Sequence, residues 1–255
     1  MTKSELQGFL NEKAEYYETL KFIESDPIQI PHLFSKKEDI EIAGFLAASI
    51  AWGQRPTIIR NATFLVEHMD MAPYDFIVNF TEDDLEPFAN FKHRTFNFDD
   101  LKTFFLSLQN IYKYHGGLES SLSQKPENMA ENISLFKITF FESEHLPRTQ
   151  KHVSDPLKGS AAKRLNMYLR WMTRSAKGGV DFDIWTKLQP KHLYLPLDVH
   201  TANVSRKLGI LKRKQNDWKA LEEVMATLRE LDATDPVKYD FALFGLGVFE
   251  GFGKE

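Results

Sequence analysis

Apolar residues in this chain recur every three to four positions, and no stretch alternates apolar and polar as a half-buried strand would. A chain with that pattern folds as packed helices. Leu6, Phe9, Leu10, Tyr16, Leu20 and Ile23 predict a helix over residues 4–24. Ile40, Ala43, Gly44, Ala47 and Ala48 predict a buried helix over 37–51, its small side chains letting neighbours approach. Pro56 opens a helix to about residue 69. Leu101, Phe104, Phe105, Leu108 and Ile111 share one face of a helix over 99–114. Further helices are expected over 129–144, 160–174, 181–188, 199–208, 217–231 and 235–249, with short helices in 70–97. The 21 Phe residues read as a helical core. The expected class is all-α, in two lobes. Residues 1–36 form a helix and link packing on the second lobe, residues 37–150 the first lobe, and residues 151–255 the second.

The length of 255 residues suits one large domain or two small ones. The chain has no cysteine. That excludes disulfides, thiolate zinc sites, cysteine-held iron–sulfur clusters and a cysteine nucleophile, and it fits a reducing cytoplasm. The longest apolar run, residues 42–52, is shorter than the ~20 residues of a membrane span. Residues 1–13 are charged, with no apolar centre of the kind a signal peptide has. A cytoplasmic protein with no membrane partner is expected.

Charge is unevenly spread. Between Lys151 and Lys214 there are 14 Lys and Arg against four acids, a net +10. The rest of the chain holds 18 bases and 32 acids, a net −14. A basic segment in an acidic protein points to a localised anionic partner, of which a phosphate backbone is the commonest. Bases scattered over several solvated faces are the alternative.

Two segments inside that basic stretch carry the chemistry-bearing residues. In the first, Gly159-Ser160-Ala161-Ala162-Lys163-Arg164 opens a helix with Lys163 in its first turn. Lys163, Met167, Arg170 and Arg174 fall on one face by the three-and-four spacing. The positive end of the helix dipole and neighbouring Arg164 disfavour an ammonium there, and the neutral amine is the nucleophilic form. A plain surface lysine is the other reading. In the second, Leu195-Pro196-Leu197-Asp198-Val199-His200 places an acid at the start of a helix. Asp198 reads as an N-cap and, compatibly, as a carboxylate held at a cleft. His200 has no second ligand at metal-binding spacing.

These segments resemble the catalytic core of the helix-hairpin-helix (HhH-GPD) DNA glycosylase superfamily. Its hairpin reads Gly-x-Gly-x-Lys, and Gly159, Ala161 and Lys163 stand at that spacing. Its Asp-x-His followed by Leu-Gly-Leu is matched by Asp198, His200, Leu208, Gly209 and Ile210, with Lys207 at a customary basic position. The chain departs at Ala161, which replaces a glycine, at Asn203, where an arginine is usual, and in the 35-residue step from Lys163 to Asp198. Residues 181–192 account for that longer step. The chain also resembles a bacterial family of conserved proteins of unestablished activity, through Arg164-Leu165-Asn166-Met167-Tyr168-Leu169-Arg170-Trp171-Met172 and Pro196-Leu197-Asp198-Val199-His200.

The superfamily resemblance implies a two-lobed helical fold of HhH-GPD DNA glycosylase type. It implies a base-excision glycosylase and abasic-site lyase acting on double-stranded DNA, with no metal or organic cofactor, as a monomer. Lys163 would form a Schiff base and Asp198 would stabilise positive charge on the sugar. Gly159, Ser160 and Ala161 would grip a phosphate, with Arg164, Arg170, Arg174 and Lys207 on other phosphates. Trp52, Gln54 and Trp171 are candidates for a base pocket or wedge, and Trp185 for a stacking partner. The alternatives are a helical nucleic-acid-binding protein that kept the fold and lost the chemistry, and a protein-interaction scaffold.

Overall fold

The computed structural model describes residues 1–253. The chain is mostly helical, 63% of it, with almost no strand. In chain order the helices are α1 (Lys3–Tyr17), α2 (Leu20–Ile23), α3 (Lys37–Ser49), α4 (Arg55–Glu67), α5 (Pro73–Asn79), α6 (Phe98–Tyr114), α7 (Gly117–Ser121), α8 (Met129–Phe140), α9 (Lys163–Thr173), α10 (Val199–Lys207), α11 (Trp218–Leu231) and α12 (Tyr239–Val248). Two residues each of β1 (Lys92–His93) and β2 (Phe96–Asn97) pair antiparallel ahead of α6. No described helix is long and apolar enough to cross a membrane.

The chain divides into two compact units. One comprises residues 23–126 and 130–154; the other comprises 1–22, 127–129 and 155–255. The link after α2, grouped with the N-terminal helix in the sequence-based division, clusters with the unit that contains α3 to α8.

The core of that unit is phenylalanine. α3 is buried from Ile40 to Ser49 without a break, which explains its small residues. Phe45 meets Phe104, Phe136 and Phe140, each with ring centroids within 5.9 Å. Phe88 and Phe105 form a second centre at 5.2 Å, with Phe76 against both. Each such ring stabilises the fold by about 1.5–3 kcal/mol through burial alone. α6 begins at a reciprocal cap between Asn97 and Asp100. Asp100 is fully buried and receives both Arg148 and the Thr149 hydroxyl, so it is a satisfied structural acid.

In the other unit α12 is the central element, apolar on every side except at Asp240. α1 and α10 both pack along it. At Gly245 the ring of Tyr17 on α1 occupies the space a side chain would take. α1 ends at Tyr17, short of the helix expected to residue 24, and the chain turns before α2. Residues 181–188 are not helical. The backbone N–H of Phe182 instead donates to Trp171 O at 2.8 Å, and those of Ile184 and Trp185 to Met172 O at 3.0 Å. A helix leaves its last carbonyls without intrahelical partners. The returning segment satisfies those of α9, and this tertiary gain outweighs its local helical pattern.

Candidate functional site

The approach to α9 is built by short-range bonds. Gly159 turns with φ 89°, and its carbonyl accepts from Trp218 N at the start of α11, at 3.0 Å. The Ser160 hydroxyl accepts from Ala162 N, and the buried Asn166 side chain donates to Ala161 O at 2.9 Å. Ala162 is left-handed at φ 45°, ψ 39°, and no side chain caps α9. The strained position is therefore Ala162. Ala161, which stands where the resembled hairpin has glycine, does not adopt a positive φ.

Lys163 is the first residue of α9, and about a third of its side chain is exposed. Buried Leu195 and Leu197 anchor the extended segment that delivers Asp198 to the start of α10. There Asp198 Oδ1 accepts from Thr201 N at 2.9 Å. Its Oδ2 lies 3.9 Å from Lys163 Nζ. One carboxylate thus caps a helix with one oxygen and faces an amine with the other. The pair is partly open to solvent. It offers a nucleophile, a nearby proton acceptor and a fixed negative charge.

Behind the pair, the same face of α9 runs into a buried ion network that spacing alone did not reveal. Arg170 is 2% exposed, with Nη1 3.1 Å from Asp240 and Nη2 3.4 Å from Asp181. Arg174, also buried, binds Glu18 through both terminal nitrogens, Asp235 through Nε at 2.8 Å and Asp181 at 3.2 Å. Burial alone would lower Arg174, but Glu18, Asp235 and Asp181 more than offset it and hold it above the ordinary arginine range. Burial pushes Asp181 up to about 6 despite Arg170 and Arg174.

Arg170 and Arg174 therefore do not bind phosphates: their guanidiniums are inside the protein, committed to carboxylates. Nor does Trp171 serve as a base pocket or wedge. It is fully buried, and Trp185 is nearly so, edge-on to Tyr168 at 5.4 Å. Lys207 is exposed, with its ammonium over the Phe252 ring at 4.8 Å. Arg164 is partly exposed, and desolvation lowers it to about 10, which leaves it charged at neutral pH. His200 is exposed at the start of α10.

Trp52 and Gln54 belong to the other unit. Gln54 is exposed just before α4. Trp52 is half-buried, with His152 stacked on it at 5.8 Å and His93 edge-on at 4.9 Å. Among the described residues no group of three or more acids and histidines is placed to hold a metal ion.

The acids Asp181, Asp235 and Asp240 are the residues that spacing arguments passed over. A signal existed: Asp240 interrupts the apolar run Tyr239-Asp240-Phe241-Ala242-Leu243, and a lone acid in such a run needs a buried partner.

Residues 26–249 match a family model described as a protein of unknown function (DUF2400). The chain belongs to that family. No curated protein and no solved structure matches it. The match spans α3 to α12 and includes Lys163, Asp198 and Asp240, so the family description takes in the whole pair and the network behind it.

Proposed function

We propose that this DUF2400 protein is a DNA base-excision glycosylase with an abasic-site lyase step, on a two-lobed scaffold of HhH-GPD glycosylase type. The observation that carries the reading is the 3.9 Å approach of Lys163 Nζ to Asp198 Oδ2, across 35 residues of chain and between the starts of two helices. The helix-hairpin-helix resemblance supports it, since the same two residues stand at the catalytic positions of that superfamily.

The chemistry follows from the pair. The target nucleotide leaves the stack, because its C1′ is unreachable within the duplex. Asp198 stabilises positive charge on the sugar as the bond to the base breaks and the base departs with the bonding electrons. Lys163, its proton passed to Asp198 or solvent, bonds to C1′. Opening of the sugar ring leaves an iminium between Lys163 and C1′. Loss of a C2′ proton then expels the 3′ phosphate and cuts the strand. Gly159, Ser160 and Ala161 present the exposed turn beside the pair, and Arg164 and Lys207 supply charge for the backbone.

Borohydride trapping on duplexes bearing abasic sites or oxidised bases tests the reading. Borohydride reduces the iminium to a stable amine, so a protein–DNA adduct that disappears in Lys163→Ala is the expected result. Salt-sensitive duplex binding with no adduct or base release on any lesion would overturn the enzymatic reading in favour of a non-catalytic binding protein.

A further inference from the structure

Deeper in the same unit than the Lys163–Asp198 pair lies a carboxyl group that the proposed chemistry does not use. Asp240 stands in the first turn of α12, and its side chain is 8% exposed. Oδ2 is 3.1 Å from Arg170 Nη1. Oδ1 is buried with no hydrogen-bond partner. Burial pushes Asp240 up to about 7; Arg170 pulls it down, Asp198 pushes it up, Lys163 pulls it down and Asp181 pushes it up. Both members of the pair thus act on Asp240, and electrostatic interaction is mutual, so Asp240 acts on them.

The charged groups around Asp240 come from every helix that packs on α12. α9 contributes Lys163 and Arg170, the start of α10 Asp198, and the segment after α9 Asp181. Elsewhere on α10, His200 is exposed. On α1, Glu18 is held by Arg174, Lys13 and Tyr17 both bind Glu250, and Glu5, Glu12 and Glu15 are exposed. Ahead of α12, Asp235 binds Arg174 and Lys238 binds Asp232. Among these, Arg170 is the cation in direct contact with Asp240.

We infer that Asp240 is a positioning residue of the Lys163–Asp198 pair: anchored by Arg170, it sets through its own gain or loss of a proton how much negative charge surrounds the Lys163 amine. Below neutral pH it carries a proton and the amine faces Asp198 alone. Above neutral pH a second negative charge joins, favours the ammonium and restrains the nucleophile. Lys163 reactivity then rises less steeply with pH through neutrality than that of an isolated lysine. The inference deepens the glycosylase reading and rests on it for its catalytic meaning, but its test needs no DNA.

The test is competitive labelling of the whole protein with acetic anhydride across pH 5.5–9, read by mass spectrometry of the Lys163 peptide, in wild type and Asp240→Asn. The expected result is equal labelling at pH 5.5, with the variant roughly threefold to tenfold faster at pH 8, the size expected of one nearby buried charge. A merely structural role would shift labelling by a similar factor at every pH, and that result overturns the inference. Carboxyl carbon NMR of wild type, labelled at aspartate, decides the matter should the variant fail to fold. Asp240 titrating near neutrality supports the inference, and an Asp240 ionised throughout pH 5.5–9 overturns it. Wild type that shows the pH-dependent difference from Asp240→Asn but traps no DNA would retain this assignment while losing the glycosylase reading; trapping without that difference would do the reverse.

Discussion

Lys163 Nζ and Asp198 Oδ2 lie 3.9 Å apart, and the other oxygen of the same carboxylate caps α10 through Thr201 N. The two tasks separate under substitution, because asparagine caps a helix as well as aspartate does. Asp198→Asn is expected to leave the urea midpoint nearly unchanged while lowering adduct formation on abasic DNA by about 100-fold or more, the cost of removing a preorganised charge. Asp198→Ala adds a loss of about 1 kcal/mol in stability from the missing cap. Equal trapping by wild type and Asp198→Asn would show that the carboxylate is only a cap.

Arg174 is a structural cation, held by Glu18, Asp181 and Asp235. Removing one partner of a buried ion network leaves the others uncompensated, at about 3–5 kcal/mol. Arg174→Ala is expected to lose stability on that scale in urea denaturation. The salt dependence of any duplex binding by the folded fraction should stay as in wild type. A stable Arg174→Ala with a shallower salt slope would put this guanidinium back on DNA.

Asp181 and Asp240 make stability depend on pH with an unusual sign. Burial raises both, to about 6 and about 7, above the ordinary aspartate value of 3.8. Between about pH 4 and pH 7 the folded chain therefore keeps protons that the unfolded chain has lost, and unfolding releases them. Their contribution is fully present below pH 4 and fades as pH rises towards 7. Asp217 has the opposite sign: Arg213 holds it down at about 2, so its contribution is lost as pH falls below 4. Urea midpoints from pH 4 to pH 8 are expected to fall less in Asp240→Asn than in wild type. Parallel curves for the two proteins would refute the assignment.

Ala162 enters α9 at φ 45°, a conformation glycine adopts without a side-chain penalty. Ala162→Gly is expected to be neutral or to stabilise by up to about 1 kcal/mol, with relief of strain offset by the greater freedom of the unfolded chain. A loss above that size, measured in urea, would mean that the methyl group contributes more by packing than the turn costs.

Gly245 has the ring of Tyr17 where its side chain would be. Gly245→Ala should force α1 away from α12 and cost about 1–3 kcal/mol, the usual range for overpacking. Tyr17→Ala in the same background should recover part of that loss. Additive effects of the two changes would show that the contact does not exist in solution.

How far the sequence could be read depended on the range of the interaction. Periodicity placed α6 and α11 nearly to the residue, because the stripe and the cap at each end are local. It missed the irregular course of residues 181–188, whose hydrogen bonds run to the end of α9. Gly159, Lys163 and Asp198 were found through short motifs. Arg170 and Arg174 were rightly put on one face with Lys163, but spacing says which side chains share a face and not what lies opposite. Trp171 failed as a surface candidate for the same reason: its burial is decided by elements far away in the chain.

The amino-acid order alone determined that this protein is built of helices, where most of them start, and that an amine and a carboxylate open two of them. Those properties arise within a few residues, from apolar spacing, prolines and caps. Only the tertiary structure decided that one turn of α9 meets solvent and Asp198 while the next two are buried against Asp240, Asp181 and Glu18. A buried charge is tolerated only beside its counter-charge. Here the counter-charges come from three separate stretches of chain, and no local pattern could have brought them together.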